Sequence, residues 1–342
     1  MGARGQALLA AGAALAMLGA AAPARASPMS TSPEQAYDLG EIPSARAVGM
    51  AGALNALGMS TSALYLNPAN MPLARVYHFE GLAAYMPEAQ KQTYGLAVVD
   101  SMSSRLAGGL AGVWQKFDPS GVDRTWTDFR VALALPLGDH LSLGALVRWL
   151  RVEQAVDGGP FGASPASGGT SGSPIFNELT LDAGATVSIV EGLRVAAVGH
   201  NLTFTKSALA PTIAAAGAGY ASQTFALELD GLLDFTTWSS TRGRIMAGGE
   251  LFLADHYAIR AGWRYDWGTD LNTPSIGLGY IDTRWSVELG VRHDLTSQHA
   301  STLLVLSLRY FYDPNASSSS SPSDQLIGLG ADSPVAGSPA AF

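Results

Sequence analysis

The chain has 342 residues and few charges for its length: 20 basic and 28 acidic side chains give a net charge of −8, and only 14% of residues are charged, against roughly 25% in an ordinary soluble domain. The acidic balance excludes a typical nucleic-acid-binding protein, and the 47% hydrophobic content argues against a disordered chain. Without cysteine, a disulfide framework and a zinc–thiolate site are both excluded.

The N-terminus predicts a secretory signal peptide over residues 1–26. Arg4 precedes an apolar or small stretch from Ala7 to Ala22, Pro23 ends it, and residues 24–26 have the small-x-small pattern of a cleavage site. A membrane anchor is the alternative, which the short, Ala- and Gly-rich stretch disfavours. Three later uncharged stretches are interrupted by Asn, Ser, Gly or Pro, so none predicts a spanning helix.

From residue 76 to residue 312 the sequence alternates between apolar and polar residues, which is the period of a β-strand. In one such segment Tyr257, Ile259 and Trp263 alternate with Arg260 and Arg264. About ten residues is the length of a tilted strand that crosses a bilayer. The sequence therefore predicts an all-β fold, a transmembrane antiparallel β-barrel of about fourteen strands. The segments are 76–86, 92–101, 104–117, 127–136, 141–153, 176–190, 193–201, 213–221, 223–235, 244–253, 257–267, 275–281, 284–293 and 302–312.

The connections between these segments alternate in length. Every second one is tight, such as residues 102–103, whereas the intervening ones, including 268–274, are longer, and 154–175 is the longest. Short turns at one end and long loops at the other are typical of outer-membrane barrels. We therefore expect the chain in the bacterial outer membrane, among its lipids, with both termini in the periplasm.

Charged residues fall on the strand faces opposite the apolar ones and are predicted to face the lumen, because an Arg against lipid costs about 2–4 kcal/mol at the bilayer midplane. Their near balance favours ion pairs that join neighbouring strands, and a charged conduit wall is the alternative. The cations are Arg105, Arg130, Arg148, Arg194, Arg244, Arg260, Arg264, Arg292 and Arg309, and the anions are Asp128, Glu178, Asp182, Glu228, Asp230, Glu250, Asp266 and Glu288.

Residues 27–75 precede the first strand and do not alternate. Within them, Asn67 and Pro68 predict a turn, and we expect the Asn67 side chain to bond to nearby backbone. The stretch from Ala47 to Ala74 carries no charge, so it is expected to pack inside the barrel. After the last strand, residues 313–342 are rich in Ser, Pro and Ala and predict a disordered tail.

Two motifs in this N-terminal region, residues 45–53 (ARAVGMAGA) and residues 63–69 (ALYLNPA), resemble the N-terminal hatch of the FadL-type superfamily. That superfamily includes long-chain fatty-acid and aromatic-hydrocarbon channels of the outer membrane, and PorV-like proteins, which serve type IX secretion in some bacteria. The resemblance implies a fourteen-stranded barrel plugged by a hatch at residues 27–75. It also implies passive uptake of small hydrophobic molecules, gated around Tyr65, Asn67, Pro68 and Ala69.

Two other functions stay open. A PorV-like barrel would bind exported protein cargo, and exposed apolar residues on outer loops, such as Phe161 or Ile175, would favour it. A general polar porin is compatible with a charged lumen. We expect no enzymatic activity, cofactor or metal, because no pair of His residues has metal-ligand spacing on a helix and no Gly-x-Ser-x-Gly elbow occurs. The acidic charge balance predicts that the chain has no nucleic-acid partner.

Overall fold

A computed structural model describes residues 40–42, 44–117, 124–154, 174–295 and 300–312, and these residues form a closed antiparallel barrel of fourteen strands. The strands are β1 (Tyr77–Met86), β2 (Lys91–Asp100), β3 (Ala107–Phe117), β4 (Arg124–Leu137), β5 (Leu141–Gln154), β6 (Pro174–Val190), β7 (Leu193–His200), β8 (Ile213–Ala221), β9 (Phe225–Asp234), β10 (Arg242–Leu253), β11 (Tyr257–Asp266), β12 (Leu271–Ile281), β13 (Trp285–His293) and β14 (Thr302–Tyr312).

Each strand pairs with its neighbours in chain order, and β1 closes the barrel by pairing with β14, with Tyr77 opposite Tyr312. The predicted fold class is therefore confirmed. The expected signal peptide (1–26), the tail (313–342) and Phe161 lie outside the described residues, as does most of the loop 154–175. Among the described residues, no helix has the length and apolar character needed to cross a membrane.

The outer surface of the barrel is apolar. On β4, Phe129, Val131 and Leu133 are 41–52% exposed, whereas Arg130 and Ala132 between them are buried. A closed barrel satisfies every strand hydrogen bond internally, and an apolar exterior suits contact with hydrocarbon. Exposed aromatic rings lie toward both ends of the strands, as expected at the two lipid headgroup layers: Trp114, Trp149 and Trp263 at one end, and Tyr257, Trp285, Tyr310 and Tyr312 at the other.

The two ends of the barrel differ. We call the end where β1 begins and β14 ends the turn end, and the opposite end the loop end. The connections at the turn end are 101–106, 138–140, 191–192, 222–224, 254–256 and 282–284. The described connections at the loop end are 87–90, 201–212, 235–241 and 267–270. The alternation in length is less regular than predicted. Residues 267–270 form a short turn where a longer loop was expected, and the connection expected to be tight at residues 102–103 spans residues 101–106. In the turn 267–270, Asp266 Oδ1 accepts bonds from Gly268 N and Thr269 N, and β12 then begins four residues earlier than expected.

The N-terminal segment, defined here as residues 44–74, forms helix α1 (Ala45–Gly49) and two 3-10 helices (Ser60–Leu64 and Pro68–Leu73). Ser44 begins α1 by accepting a bond from Ala47 N, a typical N-cap. The helix α1 lies against β11–β14, and the second 3-10 helix lies against β3–β6. The segment therefore contacts the inward faces of strands on opposite sides of the barrel.

Glycines on the strands make this close approach possible. A Cβ atom added to Gly144 would lie within 3 Å of Ala69 N, and one added to Gly248 would lie within 3 Å of Met50 O. Real Cβ atoms are not found at such distances, so a side chain at either position would displace the N-terminal segment. The inward face of the barrel is thus shaped to the backbone of this segment.

Candidate functional site: the filled lumen

Asn67 joins the N-terminal segment to the barrel wall. Its Oδ1 accepts a bond from Ala69 N at 3.1 Å, which is the predicted local bond at the turn before Pro68. Its Nδ2 donates to Asn55 O at 2.9 Å and lies 3.0 Å from Thr186 Oγ1 on β6. Because Asn67 is fully buried, losing this side chain would leave several polar groups without partners.

A chain of ion pairs links α1 to four strands. Arg46 on α1 meets Glu250 on β10 with an Nη2–Oε1 distance of 2.8 Å. Arg260 on β11 contacts both Glu250 and Glu288 on β13, the latter with an Nη1–Oε2 distance of 2.7 Å. Arg309 on β14 then meets Glu288 at 2.9 Å. These side chains are at most 1% exposed, so each charge depends on its partners.

The chain of ion pairs ends on the first 3-10 helix. Arg309 also lies 3.3 Å from Glu80 on β1, and its Nη2 is 3.2 Å from Ser62 Oγ. Thr61 Oγ1 donates to Glu80. Hydroxyl groups of the N-terminal segment thus form hydrogen bonds with charged side chains of the barrel wall.

A second cluster lies on the opposite wall. Arg130 on β4 and Arg148 on β5 are directly opposite each other in the strand register, an arrangement of like charges that is unfavourable by itself. Asp128 bridges them, with distances of 2.9 Å to Arg130 Nε and 2.6 Å to Arg148 Nη2. Nearby, His200 Nδ1 lies 2.9 Å from Asp182 Oδ2.

The N-terminal segment also covers this second cluster. Arg130 donates to Leu64 O at 3.0 Å, and its guanidinium lies 5.4 Å from the ring centroid of Tyr65, within the range of a cation–π contact. The Tyr65 hydroxyl is buried and has no hydrogen-bond partner among the described residues.

Two carboxylates on β9 hold the backbone of the N-terminal segment. Glu228 accepts bonds from Ala56 N and Leu57 N, the latter at 3.0 Å, and Asp230 accepts a bond from Asn55 N at 3.0 Å. Both carboxylates are buried. Three successive backbone N–H groups, those of residues 55–57, therefore donate to carboxyl groups of the wall, so this stretch is fixed by its main chain.

The structure places most of the predicted lumen residues in these contacts. Beyond those described above, Arg194 is buried with its Nη1 3.5 Å from Met59 Sδ. Arg244, Arg264 and Arg292 lie at the loop end around Glu41, and Asp266 pairs with Arg244 at 2.8 Å. The inward-facing charges therefore form ion pairs and hydrogen bonds, as the balanced charge favours.

Two predicted lumen residues are elsewhere. Arg105 is exposed in the turn 101–106, because Asp100 Oδ1 accepts bonds from Met102 N and Ser103 N and ends β2 there. Glu178 shares its strand face with Asp182 but is exposed. It lies in the part of β6 that extends beyond the pairing with β7, which begins at Ala183.

The sequence prediction missed Arg46, Glu80 and Glu41. Arg46 stands just before the uncharged stretch of the N-terminal segment, and Glu80 lies between the outward residues Phe79 and Gly81. Alternation within β1 was therefore a sufficient signal for Glu80. The contacts of Glu41 depend on the folded path of the chain, which no local pattern reveals.

A cavity of about 70 Å³ remains between the N-terminal segment and the loop-end half of the barrel. Ile213, Leu232 and Met246 form part of its apolar lining, and Arg148 and Asp182 lie on its polar side. An engineered apolar cavity of about 150 Å³ is known to bind benzene. The cavity is about half that size, so a ring enters only if part of the lining moves.

At the loop end, Glu88 in the turn 87–90 is exposed and receives bonds from Thr302 N at 2.9 Å and Thr302 Oγ1 at 2.8 Å. Partial burial opposes ionisation of this carboxyl, but the bonds from Thr302 outweigh it and hold the pKa of Glu88 below its usual range. The turn β1–β2 is thereby joined to the start of β14.

The sequence matches no protein-family model and no curated protein. The structure is similar to the CymD monoaromatic hydrocarbon channel, with a TM-score of 0.60 and 15% identity over 81% of this chain and 99% of that chain. It is also similar to the toluene transporter TbuX of Ralstonia pickettii (TM-score 0.57, 13% identity, 80% and 99% covered). A third similar structure is a FadL homologue of Pseudomonas aeruginosa (TM-score 0.55, 15% identity, 80% and 99% covered).

At these identities the likeness concerns the fold. The chain shares the closed antiparallel barrel fold of these three structures, and a barrel of this kind is a structure that spans the bacterial outer membrane.

Proposed function

We propose that this protein is an outer-membrane channel for the passive uptake of small hydrophobic molecules and that its N-terminal segment is the hatch that gates it. The observation that carries the proposal is the filled lumen: one buried segment, held by Asn67, Arg46 and the backbone bonds of residues 55–57, separates the loop end from the turn end. The adjoining cavity has an apolar wall. The similar structures named as hydrocarbon and toluene transporters support this substrate class.

The size of the cavity implies how the channel works. At about 70 Å³ it is too small for an aromatic ring, so passage requires movement of the N-terminal segment. The turn at Asn67, Pro68 and Ala69 is the part we expect to move, with Tyr65 beside the cavity. The rest of the segment is held more firmly by the ion pairs of Arg46.

Mass spectrometry of molecules that co-purify with the detergent-extracted barrel tests the substrate class. We expect small hydrophobic molecules that are absent from a matched preparation of an unrelated outer-membrane barrel. Recovery of polar solutes alone would favour a general polar porin. The filled lumen and its paired charges argue against that function.

A PorV-like cargo-binding barrel is the second candidate, and one observation favours it. In the loop 201–212 Phe204 is 65% exposed, and near the end of β13 Leu295 is 59% exposed, both at the loop end. Ile175 is partly buried against a cluster that includes Phe176 and Leu209, so it supplies little exposed surface. A permanently closed barrel with cargo protein bound at the loop end would identify this function.

A further inference from the structure

Tyr65 follows the first 3-10 helix and is held in place against β4. Its backbone N–H donates to Ser62 O at 3.1 Å, and the guanidinium of Arg130 lies 5.4 Å from its ring centroid. Arg130 is itself fixed, because it donates to Leu64 O at 3.0 Å and pairs with Asp128 at 2.9 Å. The ring of Tyr65 therefore has a defined position beside the barrel wall, and only 7% of the residue is exposed.

The hydroxyl group of Tyr65 is buried and has no hydrogen-bond partner among the described residues. A buried tyrosine hydroxyl usually has a partner, because water no longer solvates it. Two charged side chains that line the same cavity are already engaged. Arg148 Nε donates to Asp128 at 2.7 Å, and Asp182 accepts a bond from Asn201 N at 2.8 Å. Within the described part of the chain, the Tyr65 hydroxyl is thus a donor that is still available.

The cavity that Tyr65 lines has a volume of about 70 Å³ and is lined on another side by Ile213, Leu232 and Met246. A hydrocarbon in this cavity would meet the apolar side chains but leave the hydroxyl group unpaired. A molecule of the same shape with one acceptor oxygen would satisfy both. A site with a buried polar group discriminates between two such molecules, because the hydrocarbon leaves that group without a partner.

We propose that the cavity selects small, uncharged hydrophobic molecules that carry one acceptor oxygen, as in a ketone, and that Tyr65 recognises this oxygen by donating its hydroxyl hydrogen. This inference rests on the proposed function and narrows its substrate class. A hydrocarbon of the same shape enters by the same movement of the N-terminal segment, but it binds more weakly.

Acetophenone and α-methylstyrene are the probes, because the C=O group of the ketone is replaced by C=CH₂ in the hydrocarbon. The binding of each probe to the detergent-purified full chain is measured from its vapour above the solution, against the same detergent without protein. We define the selectivity as the dissociation constant of the hydrocarbon divided by that of the ketone. We expect the selectivity of the unaltered protein to be about tenfold higher than that of Tyr65→Phe.

Tyr257→Phe is the matched control, because it removes the same hydroxyl group from a residue that is 53% exposed on the outer surface of the barrel. Its selectivity should equal that of the unaltered protein. Infrared spectroscopy provides a second readout, because the C=O stretching frequency of a ketone falls when its oxygen accepts a hydrogen bond. We expect a lower frequency for acetophenone bound to the unaltered protein than for acetophenone bound to Tyr65→Phe, where the frequency should approach that in hexane.

Folding of each variant is checked by the heat-dependent migration of the barrel on a gel. Equal selectivity in the unaltered protein and in folded Tyr65→Phe overturns the proposal, and this is the result expected if only water pairs with the hydroxyl group. The proposed function survives that result when both probes bind. If neither probe binds to the unaltered protein, the proposal is overturned together with the substrate class of the proposed function. If Tyr65→Phe does not fold, the infrared frequency in the unaltered protein decides: a value equal to that in hexane overturns the proposal, and a lower value supports it.

Discussion

At the scale of single residues, the ion pairs of the barrel differ in how much its stability depends on them. Arg260 is fully buried between Glu250 and Glu288, whereas the pair Arg151–Glu153 near the loop end is 37% and 46% exposed. Removing one partner of a buried pair leaves the others uncompensated, but an exposed pair is screened by water. Ion pairs of the same residue types therefore contribute very different amounts to the free energy of unfolding, depending on how deeply they are buried.

We predict that Arg260→Met lowers the free energy of unfolding by about 3–5 kcal/mol, because it leaves two buried carboxylates without their shared cation. The control Arg151→Met should change it by about 0–1 kcal/mol. Thermal unfolding of the detergent-solubilised barrel, followed by tryptophan fluorescence, measures both. Similar losses in the two variants would mean that the inner ion-pair chain does not hold the barrel.

At the scale of elements, the N-terminal segment is fixed to the wall at several points, and Asn67 is the one at the proposed gate. The double substitution Asn67→Ala with Pro68→Ala removes the bonds to Ala69 N, Asn55 O and Thr186 and frees the backbone at residue 68. The strand pairing of the barrel is untouched, so we expect unchanged heat-resistant migration together with a higher conductance in planar bilayers.

Ser222→Ala, in a turn at the turn end, serves as the control for this conductance measurement. Among the described residues, its hydroxyl bonds to Thr224 and Phe225 beside it, so conductance should stay at the level of the unaltered protein. If the double variant also conducts no more than the unaltered protein, the turn at Asn67 is not a gate, and the PorV-like function becomes the better account.

The strands were largely predictable from the sequence, and the site was predictable only in part. The bounds of β14 match the periodic segment 302–312 in residue number, because period 2 is a local property of the chain. β12 begins at Leu271 rather than at residue 275, since Asn272 and Thr273 pair with Tyr265 and Arg264 despite weak alternation. The partners of Arg46 and Glu41 are set by the path of the N-terminal segment through the barrel, which local periodicity does not encode.

At the scale of the whole molecule, the position of the lipid-facing surface relative to the middle of the membrane can be tested. Val131 is 41% exposed near the middle of β4, and Thr125 points to the same side near the loop end of that strand. Val131→Arg should destabilise the barrel by about 2–4 kcal/mol, and Thr125→Arg by about 0–1 kcal/mol, because the cost of a cation falls toward the interface. Refolding into lipid vesicles measures both costs, and equal costs would argue against this membrane position.

The difference between the loop end and the turn end predicts the orientation of the barrel in the membrane, with the loop end facing the cell exterior. The chain has no cysteine, so single cysteines report position cleanly. Lys206→Cys, exposed in the loop 201–212, should react with a membrane-impermeant thiol reagent on intact cells. Thr283→Cys, exposed at the turn end, should react only after the cells are permeabilised. The reverse labelling pattern would show that the loop end faces the periplasm.

Uptake by intact cells tests the central claim most directly, namely that this barrel admits small hydrophobic molecules through a lumen gated by its N-terminal segment. Labelled toluene is supplied to cells of a host without other FadL-type barrels, with the unaltered protein, with the Asn67→Ala and Pro68→Ala double variant, or with an empty vector. We predict faster uptake with the unaltered protein than with the vector, and faster uptake still with the double variant. Uptake at the vector rate in both, with the barrels folded in the outer membrane, would contradict the account.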